Sequence, residues 1–118
     1  MKQENIIQTK SYDFAIKVVN LYRYLVEEKR EYVLSKQLLR SGTSIGANIR
    51  EGLNAQSLKD FIHKFSIAQK ETDESLYWLE LLKETNYITS DQFEKMNEKC
   101  LEIMKIISKI IVTSKNKS

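Results

Sequence analysis

Apolar residues recur along this chain at alternating intervals of three and four, the repeat of an α-helix that buries one face. Four stretches carry that rhythm. The first spans about Ser11–Lys29, with Phe14, Val18, Leu21 and Leu25 on one side; Ser11 suits an N-cap and Asp13 suits the positive start of a helix. A charged link, Glu28 to Glu31, leads to the second, Val33–Gly52, with Leu34, Leu38, Ile45 and Ile49 in step and Gly52 as a C-terminal stop. The third, Ser57–Thr85, opens on Ser57 and Asp60 at capping-box spacing and ends at Asn86. The fourth, Thr89–Thr113, opens on Thr89 with Gln92 in the capping-box position and carries Phe93, Met96, Cys100, Ile103, Ile107 and Ile110. Residues 1–10 and 114–118 fall outside the pattern and are expected to fray.

Short connections make successive helices antiparallel neighbours, so the pattern predicts one all-α domain over residues 1–118, an antiparallel up-down four-helix bundle. Folding about residue 31 sets Val18 beside Ile45 and Phe14 beside Ile49. Folding about residue 55 sets Arg40 level with Lys70 and Glu71, and folding about residue 87 sets Thr72 near Ile103. The predicted core comprises Phe14, Val18, Leu21, Leu25, Leu38, Ile45, Ile49, Phe61, Phe65, Ala68, Leu79, Leu82, Met96, Ile103 and Ile107. A second apolar set, Val19, Tyr22 and Val26 on the first helix and Leu101, Met104, Ile106 and Ile111 on the fourth, exceeds what one buried stripe holds and is expected to face outward.

Composition agrees with this reading. The chain has 118 residues, no proline and three glycines, so the strongest helix breakers are scarce. Charged residues make up 30% of it, with a formal net charge of +3, which permits contact with nucleic acid without arguing for it. A single cysteine, Cys100, excludes an intrachain disulfide. The first residues lack the apolar run of a signal peptide, and no stretch approaches the ~18 apolar residues of a membrane span, so a cytoplasmic location is expected.

The second helix is the unusual one. Arg40, Ser44, Asn48 and Glu51 form a polar stripe, and Lys70, Glu71 and Glu74 on the third helix face it, followed by Tyr77 and Trp78. This seam is either a binding or catalytic cleft or a mutually satisfied network that holds register. No nucleophile–base pair or metal set accompanies it, which favours the network. Gly42 and Gly46 lie inside the same helix, each costing about 1 kcal/mol against alanine, so another backbone is expected close by, near Leu21.

Other chemistry finds little support. His63 has no glutamate three residues before it, as a di-metal bundle would need, and Cys100 lies on the core stripe. No strand precedes Gly42 and no Gly-Lys-Ser/Thr follows Gly46, which excludes a phosphate loop. Arg50 and His63 stand too far apart for a helical-bundle ribonuclease of the toxin type. No catalytic residue, metal or cofactor is therefore expected. Basic residues on the first helical hairpin outnumber acidic ones by seven to five, and the aromatic residues do not interleave with them as in a single-strand stacking platform.

The run Gln37 to Gly52, with Ser44-Ile45, Asn48-Ile49 and Glu51-Gly52, followed by Asp60-Phe61, Ile67 to Glu71, Glu74 and Tyr77-Trp78-Leu79, resembles the bacterial four-helix-bundle family often encoded in intervening sequences of 23S ribosomal RNA genes. The same fold includes the accessory proteins of diversity-generating retroelements. The resemblance runs from Phe14 to about Ile110; at Gly42 and Gly46 the chain departs from the family's more usual alanine and bulkier residues. It implies a homopentamer with a non-enzymatic role, and an adaptor that contacts RNA, DNA or a nucleic-acid-handling protein. Arg23, Arg30, Lys36 and Arg50 are the candidate phosphate contacts. The alternative is a structural assembly protein with a protein partner and no nucleic acid.

Overall fold

The computed structural model describes residues 2–117 and holds four helices, α1 (Lys2–Glu27), α2 (Leu34–Leu53), α3 (Leu58–Glu84) and α4 (Ser90–Lys115). Gly42 faces Val18 while Gly46 faces Ser11, so α2 runs against α1. Arg40 reaches Glu71 and Glu74 while Glu51 reaches Lys64, so α3 runs against α2. Gln69 meets Ser108 and Thr72 meets Cys100, which reverses α4 against α3. Each helix packs on its two neighbours in the cyclic order α1, α2, α3, α4. The long dimension of 47 Å shows the helices aligned with it, since a 26-residue helix is about 39 Å long.

Local sequence sets the helix ends. Ser57 Oγ accepts from the Asp60 N–H at 3.0 Å, and Thr89 and Gln92 form a reciprocal capping box. At the end of α3, Asn86 takes a left-handed conformation (φ 68°). The Asn86 N–H bonds to the Lys83 carbonyl at 3.0 Å and the Tyr87 N–H to the Leu82 carbonyl at 2.9 Å, a Schellman closure.

The beginning of α1 corrects the sequence reading. Ser11 is not an N-cap: it is buried in mid-helix, its hydroxyl donating to the Gln8 carbonyl at 3.1 Å. Residues 2–10 are helical rather than frayed, and Ile7 is fully buried in the same core as Ile107, Ile110 and Ile111. The reason is α4, which runs on to Lys115 and presents apolar residues that a helix starting at Ser11 would leave uncovered.

Most of the predicted core is buried, but Leu21 and Phe61 are only partly so; Phe61 stacks on the fully buried Phe65 with ring centroids 4.3 Å apart. Ile7, Ile88, Phe93, Cys100, Ile110 and Ile111 complete the core. Ile111 is therefore not outward-facing, and Val19, Tyr22, Val26, Met104 and Ile106 are half-buried. Of the set expected to face outward only Leu101 is exposed; the other exposed apolar residues among those described are Ile6, Tyr12 and Ile16 on α1 and Val112 on α4, with Tyr32, Val33, Leu58 and Tyr77 elsewhere.

The glycines of α2 divide into two kinds. A Cβ at Gly42 would lie 2.7 Å and 2.9 Å from the two methyl groups of Val18, so the helix approached here is α1 at Val18 rather than Leu21. A Cβ at Gly52 would lie 2.8 Å from the Phe65 ring. Gly52 has no positive φ and lies within the helix, so it serves packing rather than termination. At Gly46 a Cβ would meet Ser11 at 3.5 Å, an ordinary contact. Gly42→Ala should therefore cost about 1–2 kcal/mol, because buried Val18 is branched and stiff and cannot yield cheaply. Gly46→Ala should instead stabilise by about 0.5–1 kcal/mol through helix propensity and a less flexible unfolded chain. Urea unfolding of both variants measures the contrast; equal effects would show that the α1–α2 spacing is not set at Gly42.

Candidate functional site

The seam between α2 and α3 is built around one guanidinium. Arg40 Nη1 donates to Glu71 at 3.3 Å, and Nη2 donates to Glu74, whose Oε1 also accepts from Trp78 Nε1 at 3.4 Å. Ser44 and Asn48 turn to their own helix, Ser44 Oγ donating to the Arg40 carbonyl at 2.6 Å and Asn48 Nδ2 to the Ser44 carbonyl at 2.8 Å. Glu51 pairs with Lys64 at 3.0 Å, and that hydrogen bond raises the lysine above its ordinary pKa. Lys70 is exposed and joins none of these contacts. Beneath the ion pairs the Ser41 and Ser75 hydroxyls meet at 2.9 Å in the core. Among the described residues no buried side-chain nitrogen or oxygen lacks a partner.

Exposure decides what the clamp contributes. The Arg40 side chain is 52% exposed and that of Glu71 only 12%, so the pair lies at the rim of the bundle rather than inside it. A half-exposed pair is worth about 1 kcal/mol or less, against the 3–5 kcal/mol lost when a buried charge is stranded. Arg40→Ala should lower stability by about 1 kcal/mol, with the loss shrinking as salt rises. Thermal melts at low and high salt check this, and a loss of several kcal/mol would mean Glu71 depends on Arg40 as a buried ion.

The four candidate phosphate contacts are all exposed but do not form one cluster. Arg23 near the end of α1, Arg30 in the connection and Lys36 in the first turn of α2 share one end of the bundle. Arg50, in the last turn of α2, lies at the other end, with its guanidinium carbon 6.0 Å from the centre of the Tyr12 ring. Tyr12 is thus a candidate that sequence order hides, since 38 positions separate it from Arg50.

A second residue escapes the pattern. Glu31, read from sequence as part of a charged link, is buried, and its carboxylate accepts from the N–H groups of Val33 at 3.2 Å, Leu34 at 2.9 Å and Ser35 at 2.7 Å. Ser35 Oγ donates back to the Glu31 carbonyl at 2.7 Å. Burial alone would raise the carboxyl pKa, but the hydrogen bonds from Leu34, Ser35 and Val33 outweigh it and hold it below its ordinary value. An acid just ahead of a helix without a Ser or Asp cap was the available signal. A depressed folded-state pKa stabilises above the unfolded value, and that stability is lost as pH falls through the folded one. Glu31→Gln should then cost about 1–2 kcal/mol at pH 7, and the gap from the parent should close as pH falls below the carboxylate range. A gap independent of pH in unfolding experiments would refute the charge as the cause.

Chemistry elsewhere is quiet. Cys100 donates to the Thr72 carbonyl at 3.4 Å, and burial, with the charge of Asp73, pushes its thiol up to about 12. His63 is exposed on α3. Among the described residues no group of three His, Cys, Asp or Glu side chains is placed to hold a metal, and no helix is long and apolar enough to cross a membrane.

Fold and seam together define a small up-down four-helix bundle in which ion pairs at the rim and a buried hydroxyl contact fasten α2 to α3. A crystal structure of a protein of unknown function from the S23 ribosomal protein family of Bacteroides thetaiotaomicron VPI-5482 has this fold, with a TM-score of 0.92 and 55% sequence identity, covering 92% of this chain and 97% of that one. The chain matches the 23S rRNA-intervening sequence protein family over residues 3–109, and it belongs to that family. Neither description names an enzymatic activity. No curated protein matches the chain.

Proposed function

We propose that this protein is a non-enzymatic adaptor that assembles with copies of itself and presents basic residues to RNA or to a nucleic-acid-handling protein. The observation that carries the reading is the set of apolar residues exposed on the neighbouring helices α1 and α4. Ile6 and Ile16 stand out on α1, and Leu101 and Val112 on α4, the last two 51% and 60% exposed. On α4 they are three turns apart on one side. Apolar residues left exposed on two neighbouring helices suit contacts between subunits, which close into a ring when the rotation allows. Five subunits is the number that the family resemblance implies.

Assembly changes the electrostatics. One subunit carries a net charge of only +3, whereas five would carry +15, with Arg23, Arg30 and Lys36 repeated around the particle. Binding driven by such charge tolerates many sequences and weakens steeply with salt, because counterion release supplies much of its free energy. Native mass spectrometry should give an oligomer, and a salt titration should show binding of structured or single-stranded RNA. Charge reversal at Arg23 and Arg30 should weaken binding to all sequences alike and leave the oligomer intact. A monomer at micromolar concentration would sink the assembly; no binding even at low salt would leave a protein partner as the reading to pursue.

A further inference from the structure

The outer face between α1 and α2 carries a groove of about 390 Å³ with Tyr12 on the α1 side, Arg50 and Glu51 on the α2 side, and the small residues Ala15, Gly46 and Ala47 between them. Tyr12 is 56% exposed, so more than half of this aromatic residue is open to solvent. Arg50 is exposed and forms no ion pair among the described residues, since neighbouring Glu51 is taken up by Lys64. At 6.0 Å the guanidinium and the ring stand at the outer limit of a cation–π contact, so neither is consumed by the other.

The same face continues towards the other end of the bundle. Tyr12 and Arg23 are eleven residues apart, three helical turns, and so share a side of α1. Lys36 and Arg50, fourteen residues apart, share a side of α2 to within a fraction of a turn. Because the helices are antiparallel, Arg50 is level with Tyr12 and Lys36 is level with Arg23. The face therefore reads, from one end to the other, as an open aromatic ring with a cation beside it, a groove floored by small residues, and two further cations roughly 20 Å away along the axis.

We infer that the α1–α2 face holds a single-stranded nucleic acid, with one unpaired base stacked on Tyr12, Arg50 against its phosphate, and Arg23 and Lys36 meeting phosphates farther along the strand. An aromatic ledge beside cations is the arrangement by which unpaired bases are held without regard to sequence. A duplex keeps its bases stacked on each other and has none to offer Tyr12. With the Glu51 carboxylate paired to Lys64, exposed Arg50, Arg23 and Lys36 offer the face's charge to a phosphate backbone, and its small floor lets a strand lie close. This deepens the adaptor reading and rests on it: it names the form of nucleic acid and the residue that selects it. The absence of aromatic residues interleaved with basic ones in sequence order is corrected by the fold, which brings Tyr12 and Arg50 together from different helices.

The test compares wild-type protein with Tyr12→Ala, Tyr12→Phe and Arg50→Ala, each as the intact full chain, against single-stranded RNA, single-stranded DNA and duplex RNA of equal length. Tyr12 is a surface residue, and an unchanged melt confirms that each variant folds. Tyr12→Ala should weaken binding of single strands by about tenfold or more, leave the salt slope and duplex binding unaltered, and be rescued by Tyr12→Phe. Arg50→Ala should weaken both forms and reduce the salt slope by about one. RNA and DNA strands should respond alike to Tyr12→Ala, because stacking does not use the 2′-hydroxyl. If wild type binds nucleic acid but Tyr12→Ala binds single strands normally, or loses duplex equally, the inference falls and the adaptor reading stands. If Tyr12→Ala changes the mass of the oligomer, the face is a subunit contact and the inference is overturned. If wild type binds neither form at any salt, the inference falls together with the nucleic-acid half of the adaptor reading.

Discussion

Helix α2 lacks a side chain at the two points where its neighbours press hardest on it, and the bundle depends on that omission. Val18 of α1 occupies the space in which a Cβ of residue 42 would stand, and the Phe65 ring of α3 occupies the space of a Cβ at residue 52. Both intruding side chains are fully buried and cannot swing into solvent to make room. Close contacts of this kind act on register as well as on distance, because a shift of α2 by one residue would place Ser41 or Thr43 against Val18 in place of Gly42. With α2 seated between α1 and α3, Ser41 comes within hydrogen-bonding distance of Ser75, and Arg40 comes level with Glu71 and Glu74. The polar seam is thus a consequence of the glycine contacts, and its modest ion pairs refine an alignment that packing has already imposed.

The connection ahead of α2 solves a related problem without the usual turn residues. Residues 28–33 contain neither glycine nor proline, and Arg30 adopts a left-handed conformation (φ 53°) that costs an ordinary residue roughly 1–2 kcal/mol. Glu31 offsets that cost. Its own N–H closes back on the Leu25 carbonyl at 2.9 Å, while its carboxylate satisfies three of the otherwise unpaired N–H groups at the start of α2. The anion also sits at the positive end of the helix dipole. One buried acid therefore ends one helix, starts the next and positions Lys36 and Arg23 at the same end of the molecule.

What could be read from the sequence was what depends on periodicity and on neighbouring residues. The three-four rhythm located α2, α3 and α4 to within two residues, and the absence of proline left few places for those helices to break. Ser57 and Thr89 announced themselves as caps because capping is a contact across three residues. The start of α1 was misplaced for an instructive reason: Ser11 is small and polar, so it looks like a cap, yet at that position it lies on the buried stripe between Ile7 and Phe14 and satisfies its hydroxyl on its own helix. Glu31 was hidden because its role is defined by backbone direction after a left-handed residue. The approach of Arg50 to Tyr12 was hidden because it exists only once α1 and α2 are packed.

The sides of the bundle differ in what they leave free. Between α2 and α3 the surface is committed, since Arg40, Glu51 and Lys64 bind carboxylate or ammonium partners across the seam and Trp78 joins Glu74. Between α1 and α4 a lysine and a glutamate, Lys10 and Glu102, pair at 3.2 Å over a groove that also holds Asp13, Lys17 and Lys99, so its cations stand among unburied carboxylates. Between α1 and α2 the case is different: Glu51, which also lines the groove, is paired with Lys64, Arg50 has no ion-pair partner among the described residues, and the small residues that let the helices approach leave open space above them. The close contact at Gly42 that sets the spacing of α1 and α2 therefore has a counterpart in function. It narrows the core side of that interface, while Gly46 and Ala47 keep its outer side shallow, and a shallow cationic face with one free aromatic ring suits a flexible strand better than a rigid partner helix, which would need apolar knobs to fill.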